Sequence, residues 1–450
     1  MKLVAKQILL AGLLLLLCSP PVALGEDEGG LSREEKVRRD KARVEKEGFW
    51  LYNDLPAAYQ KARETGKPIL VVLRCLPCEE CVKLDDDLVD NDPVIRPLLE
   101  QFVCVRVVGT NGLDLDVFQY DTDQSFAVFM LAADKTVYGR FGTRSHRTEW
   151  LGDVSLEGMA AALSGALELH RDYPNNKAQL VGKSGKPLEF DAPEKFPKLR
   201  GKYTDRLNYS GDVVKSCIHC HQIGEARREF YWQQNKPIPE RLFFSYPHPK
   251  SIGLILDPDT RSTVKSITQG SPASVAKLEP GDTIETMQGQ PILSIADVQW
   301  VLHNTAAEGA KVTLGVQRGT QQLDLELQLA KGWRQADDIS WRVSSWTLCR
   351  IATGGMRLVP LDDEQRVEYG VPEGMALRAK NVGRYGPHGA AMRAGFQKND
   401  IIVSFDGRSD FENEDQLFYY VNRTKRIGDS VEIEYVRGGK RRQARLKIQE

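Results

Sequence analysis

The sequence predicts a multidomain chain of α/β plus β-rich class. It reads as an α/β domain, then a small mainly helical segment, then two β-rich domains. Three observations carry this expectation. The 450 residues exceed one ordinary domain. From Phe49 to about Leu169, apolar runs of strand length alternate with helical periodicity. The C-terminal part contains one pattern twice at a fixed offset, with Ala273, Ala276, Leu278, Asp282, Ile284 and Gly289 opposite Ala391, Ala394, Phe396, Asp400, Ile402 and Gly407. A repeat this long, seen twice, means two domains rather than a solenoid.

The N-terminus predicts a secretory signal over residues 1–25. Lys2 and Lys6 precede an apolar run from Ile8 to Cys18, and Ala23-Leu24-Gly25 places small residues at the two positions a signal peptidase reads. The mature chain is then expected to begin near Glu26, to be periplasmic or secreted, and to keep no transmembrane helix. With 41% hydrophobic and 27% charged residues and a net charge of −1, the chain gives no electrostatic case for nucleic acid as a partner. Residues 26–48 are dense in Glu, Lys and Arg and read as a solvated helix or linker.

Residues 49–171 form the predicted α/β domain. Leu55 to Thr65 is an amphipathic helix closed by Gly66-Lys67-Pro68. Ile69 to Leu73 is a buried strand, followed by a helix from about Cys78. Further strands are expected at Phe102–Val108, Phe126–Leu131 and Val137–Phe141, with Leu156 to Leu169 as a closing helix. Cys104 lies mid-strand and reads as a core residue. Cys75, Cys78 and Cys81 follow the first strand and open the helix, whose N-terminal partial charge stabilises a thiolate. Glu79 and Glu80 between them oppose it. Either exchange chemistry or a structural disulfide suits this spacing.

Residues 172–250 are rich in Pro, Lys, Asn and Gly and contain Cys217-Ile218-His219-Cys220-His221, then a helical stretch through Trp232. Cys-x-x-Cys-His is the attachment pattern of c-type cytochromes, and in an exported chain it predicts haem c bound through Cys217 and Cys220 with His221 on the iron. A local disulfide is the competing reading. No Met lies in residues 173–250, so the second axial position falls to His248 or to no standard ligand.

Residues 251–332 and 333–450 hold the repeat. Ser271-Pro272-Ala273 leading to Leu278-Glu279-Pro280-Gly281-Asp282-Thr283-Ile284 resembles PDZ domains, and Asn399-Asp400 takes the Gly281-Asp282 place in the second copy. A PDZ domain adds a peptide as a strand between a sheet edge and a helix, with loop amides on the terminal carboxylate. The resemblance assigns peptide binding to Ile252, Gly253, Leu254 and Ile255 with Val298, Val301 and Leu302 in the first copy, and to Gly355, Met356 and Leu358 in the second. Packing or dimerisation is the alternative role for each copy. PDZ pairs often accompany serine proteases, but no Gly-x-Ser-Gly-Gly loop is present: Gly428-Asp429-Ser430-Val431-Glu432 lacks the glycines of an oxyanion hole.

Residues 49–170 resemble the thioredoxin-like domains of exported disulfide-handling proteins. That resemblance implies Cys78 as attacking thiol and Cys81 as resolving thiol, with Ser125 where such domains carry a cis-proline. The whole chain is similar to exported bacterial proteins joining a thioredoxin-like domain to PDZ domains, some of which carry selenocysteine. Two functions are therefore expected to compete. One is a redox-linked protein, a thiol-disulfide oxidoreductase or electron-transfer protein, whose PDZ pair recruits C-terminal or extended peptides of exported proteins or redox partners. The other is a non-enzymatic adaptor with structural cysteines.

Overall fold

The structure, a computed structural model, describes residues 31–74, 92–124, 126–145 and 152–449. The expected signal segment, Ser125, and Cys75, Cys78 and Cys81 lie outside the described residues. No described helix is long and apolar enough to cross a membrane.

The chain opens with α1 (Arg33–Glu47), begun by a capping box in which Ser32 and Glu35 bond each other's backbone amides. Its charge pattern suggests a free helix, yet Val37, Asp40 and Val44 are buried. Asp40 meets Arg106 at 2.8 Å, which anchors the helix on the sheet. After β1 (Leu51–Tyr52), α2 (Leu55–Thr65) starts at Asp54, whose carboxylate accepts from the Ala57 amide, and ends at Gly66 with φ 68°. β2 (Ile69–Arg74) is buried throughout because helices cover both faces of its sheet. α3 (Ile95–Leu99), β3 (Val103–Val107), β4 (Phe126–Leu131), β5 (Val137–Phe141) and α4 (Leu156–Asp172) complete the domain. The order is β1-β3-β2-β4-β5, with β1, β3 and β2 parallel and the last two strands antiparallel. Cys104 is buried on β3.

The middle segment carries α5 (Cys220–Gln233) among turns and short helices. The first β-rich domain has a small sheet of β6 (Leu254–Leu256) and β7 (Val264–Ile267). A second sheet, β11-β10-β8-β9, comprises β8 (Thr283–Met287), β9 (Gln290–Pro291), β10 (Ala310–Arg318) and β11 (Gln321–Leu329), with α6 (Ile295–Asn304) between β9 and β10. The second β-rich domain begins with α7 (Ser345–Thr353). It forms one sheet in sequence order from β12 (Met356–Pro360), β13 (Leu377–Val382), β14 (Ile401–Phe405), β15 (Ser430–Arg437) and β16 (Lys440–Lys447), with α8 (Glu414–Thr424) packed on it.

The repeat is physical as well as textual. Asp282 accepts from the Glu279 amide at 2.9 Å and pairs with Arg318 at 2.7 Å. Asp400 accepts from the Gln397 amide at 2.8 Å and pairs with Arg437 at 2.6 Å. Asn399 takes φ 72° at the turn where Gly281 takes 93°, a region Asn tolerates better than most residues.

The domains interlock. α6 lies on the edge strand β5: Lys183 and Asp297 pair at 2.8 Å, both almost wholly buried. The Arg140 guanidinium stacks 3.8 Å from the Trp300 ring, and Trp300 Nε1 donates to Gly182 O at 2.8 Å. Leu293 wedges between β5 and α4, where Gly139 and Gly165 leave it room: a Cβ there would sit 2.6 and 2.7 Å from its methyl carbons. The connection between the two β-rich domains is clamped to the loop before β4. Arg342 Nη1 donates to both Asp121 oxygens at 2.6 and 2.7 Å, and the Ser344 amide and hydroxyl bond Asp123 at 2.8 and 2.5 Å.

Candidate functional site

Parallel pairing of Leu73 with Val107 brings the C-terminal ends of β2 and β3 to one sheet edge, the edge where open α/β sheets place their chemistry. β2 ends at Arg74, the residue before Cys75.

The Cys217–His221 segment is bolted to the loop after β3. Ile218 N donates to Asn111 Oδ1 at 2.9 Å, and Thr110 donates to Ile218 O through its amide and hydroxyl at 3.0 and 2.8 Å. Cys217 and Cys220 are free thiols. Cys217 is buried, with Sγ 3.8 Å from Val108 O and so close to Gly109 that a Cβ there would stand 2.9 Å away. The half-buried Cys220 accepts from the Tyr120 hydroxyl at 3.0 Å. Burial pushes the Cys217 thiol up to about 12 and the Cys220 thiol up to about 11, so both are protonated at neutral pH.

His221 is bonded within its own helix. Its Nδ1 lies 3.0 Å from Glu225, and its ring stacks on His219 at 5.9 Å. Burial raises the Glu225 pKa, but the His221 hydrogen bond and the Lys198 charge outweigh it and hold the carboxyl at about 2. His248 belongs to a different contact set: it is buried with Nε2 3.6 Å from Asp153, and its amide donates to Asp337 at 3.0 Å. Among the described residues, no three His, Cys, Asp or Glu side chains gather closely enough to hold a metal ion. Covalent haem attachment would take the Cys217 sulfur away from Val108 O and the Cys220 sulfur away from the Tyr120 hydroxyl.

The first peptide groove is shut. Ile252, Leu254, Val298, Val301 and Leu302 are all core residues, and α6 is buried from Ile295 to His303. Only Ile255 of the expected strand face is half-exposed; Gly253 is buried with φ 74°. Tyr246 covers the helix, stacking on His303 at 3.9 Å while its carbonyl accepts from Gln299 at 3.0 Å. Arg334 holds the helix end by donating to the carbonyls of Leu302 and His303 at 3.0 and 2.6 Å. The sequence of α6 carries part of the signal: Ile295, Val298, Trp300, Val301 and Leu302 leave little of the helix polar, and its Asp297, Gln299 and His303 are buried against Lys183, Thr143 and Tyr246.

The second groove is shut at the end expected to hold a peptide carboxylate. α7 fills it with Leu348, Cys349 and Ala352 against Met356, Leu417 and Val421. The Gly355 amide donates to Cys349 O at 3.3 Å, and Thr353 Oγ1 donates to Met356 O at 2.7 Å. Gly355 has φ 91°, and a Cβ there would stand 2.0 Å from His388 O. Met356 and Leu358 point into the core. The expected carboxylate-capping role of Gly355, Met356 and Leu358 therefore gives way to internal packing. Sequence reading missed α7, although Leu348, Cys349 and Ala352 already mark an apolar helical stripe.

Farther along β12 the space opens. A cavity of about 880 Å³ is bounded by Arg357–Pro360 of this edge strand, the first turn of α8, and residues 335–340 of the connection with Trp346. Glu414 accepts from the Leu358 amide at 2.8 Å and pairs with Arg357 at 2.9 Å. Burial, then Asp338 and Glu414, pushes Asp415 up to about 7. Burial also pushes Asp337 up to about 7 against the pull of Arg342. These residues escaped sequence reading because they converge from three separate stretches.

A family model described as thioredoxin-like matches residues 50–133, and a PDZ domain model matches residues 250–329 and 378–448. The chain is similar to proteins named probable periplasmic serine endoprotease DegP-like. One, from Pseudomonas fluorescens, is 26% identical over 154 residues, covering 34% of this chain and 31% of the relative. Another, from Hahella chejuensis, is 27% identical over 178 residues, covering 39% and 36%. The chain thus spans about a third of the length of these curated relatives. Among solved structures, the HtrA-type protease AlgW with decapeptide is 15% identical, covering 31% of this chain and 55% of that one at a TM-score of 0.19. The same protease with tripeptide is 15% identical, covering 42% and 58% at 0.22. The chain carries a thioredoxin-like domain and two PDZ domains.

Proposed function

We propose that this chain is an exported, redox-linked recruitment protein: its second PDZ domain engages an extended segment of a partner protein, and its thioredoxin-like domain presents a dithiol to that partner. One observation carries the recruitment reading. The edge strand β12 borders a cavity of about 880 Å³, while the first groove has no exposed apolar lining on its helix. The Leu358 amide of this edge is held by Glu414 and Pro360 has no N–H, so an extended segment laid along it gains carbonyl contacts from the strand and side-chain selectivity from the flanking cavity. The similarity to probable periplasmic DegP-like proteins supports a periplasmic setting. Their protease activity does not carry over, because the match spans about a third of their length.

The dithiol rests on the sequence and on the strand that precedes it. Cys78 attacks a partner disulfide, forming a mixed disulfide and releasing one partner thiolate. Cys81 then attacks the Cys78 sulfur and releases the second, leaving the partner reduced by two electrons and the chain oxidised. Two measurements test the pair of roles. Ser340→Trp places an indole in the cavity and is expected to abolish peptide capture without shifting Tm; undiminished capture refutes the site. Cys81→Ser is expected to accumulate mixed disulfides on Cys78, visible by mass spectrometry; an inert Cys78 leaves an adaptor without redox chemistry.

A second reading, haem c on Cys217, Cys220 and His221, is favoured by the motif and opposed by the packing of both sulfurs. A pyridine haemochrome spectrum of protein made in a host with cytochrome c maturation decides it. A colourless protein ends that reading.

A further inference from the structure

We infer that the cavity beside β12 selects a basic extended segment, entered along the strand without need of a free C-terminus. This rests on the recruitment reading above and names the class of peptide.

The argument is one of charge and access. Asp337, Asp338, Glu412, Glu414 and Asp415 line the cavity, against Arg357 and Lys380. Arg357 is already engaged, 2.9 Å from Glu414. Asp415 is more than nine-tenths buried, and its Oδ1 has no hydrogen-bond partner, while Oδ2 accepts from the Ile339 amide at 3.1 Å. A buried carboxylate oxygen without a donor is costly; Oδ1 is closed to water, so an ammonium or guanidinium in the cavity would stabilise the carboxylate through space. Asp338 and Glu412 stand exposed at the rim, where they attract cations before contact. The Trp346 ring, 38% exposed, gives the stem of a lysine or arginine an apolar surface. The far end of the groove is filled by α7 and its loop amide is engaged, so a terminal carboxylate gains nothing there.

Proton linkage supports the same direction. Asp415 faces Asp338, Glu414 and Arg357, and Asp337 faces Arg342, Asp121, Asp338 and the His248 amide. A bound cation favours their ionised forms, so capture tightens as pH rises through about 7.

The test uses the full mature chain and short N-terminally labelled peptides, the first two of them C-amidated, in fluorescence anisotropy. One alternates valine with lysine, one alternates valine with glutamate, and one ends in a free apolar C-terminus. The lysine peptide is expected to bind and the glutamate peptide to fail. Asp338→Asn with Glu412→Gln, both at exposed positions, is expected to weaken binding roughly 5–20-fold with Tm unchanged. Equal binding of the lysine and glutamate peptides, or no effect of the double variant, overturns the charge selection and leaves recruitment standing. Binding only of the peptide with a free C-terminus overturns the basic, internal segment. Failure of every peptide removes the recruitment reading itself.

Discussion

Replacing Arg342 with methionine tests how the connection between the PDZ domains is held to the thioredoxin-like domain. Arg342 is 2% exposed in its side chain and Asp121 1%. The guanidinium gives two bonds to Asp121, at 2.6 and 2.7 Å, and one to Ser245 O at 2.5 Å, and lies 3.7 Å from Asp123. Burial opposes its charge, but Asp121, Asp123 and Asp337 outweigh that and push its pKa up. Methionine keeps the volume and removes the charge, leaving Asp121 and Asp123 buried without their cation. Breaking one side of such a pair costs about 3–5 kcal/mol. Asp121, whose pKa burial already raises, then takes up a proton on acidification, so the loss should shrink toward about pH 5. Urea midpoints followed by tryptophan fluorescence at about pH 8 and pH 5, with limited proteolysis of residues 337–345, measure this. Arg342→Lys, which keeps the charge but not the two-pronged geometry, should lose less. A loss below about 1 kcal/mol at the higher pH would mean that the clamp is solvated and the argument from burial fails.

Asp54→Ala removes the acceptor for the Ala57 amide at the start of α2 and should cost about 1 kcal/mol, read as a lower urea midpoint. Cys217 and Cys220, with thiols raised to about 12 and about 11, should react with a disulfide reagent at neutral pH far more slowly than after unfolding, checked by stopped-time thiol titration. Asp337 and Asp415 hold protons to about 7 when folded but to about 4 when unfolded, so the folded chain binds more protons across that window. Stability should therefore fall as pH rises from about 4 to 7, and Asp415→Asn should flatten part of that slope in pH-dependent unfolding.

Much of the fold was legible because it rests on local periodicity. Ile69 to Leu73 reads as a doubly covered strand and is β2, while Phe126–Leu131 and Val137–Phe141 are β4 and β5. The PDZ turn signature was legible because Asp282 and Asp400 act within three residues of their backbone partners. The grooves were not, because openness depends on what packs against a helix from elsewhere in the chain. Residues 26–48 read as solvated, yet Asp40 reaches Arg106 on β3, a partner that local charge pattern cannot reveal.

The sequence by itself determined the domain types, most of the strands and helices and the placing of cysteines after β2 and at the start of α5, because each is written in neighbouring residues. Tertiary structure decided which sites are accessible. α6 is sealed by β5 and Tyr246, the carboxylate end of the second groove by α7, and both thiols of the Cys217–His221 segment by the loop after β3. The cavity along β12 exists because residues 335–340, β12 and the start of α8 meet in space. Burial and charge at such a place come from residues far apart along the chain, and only folding brings them together.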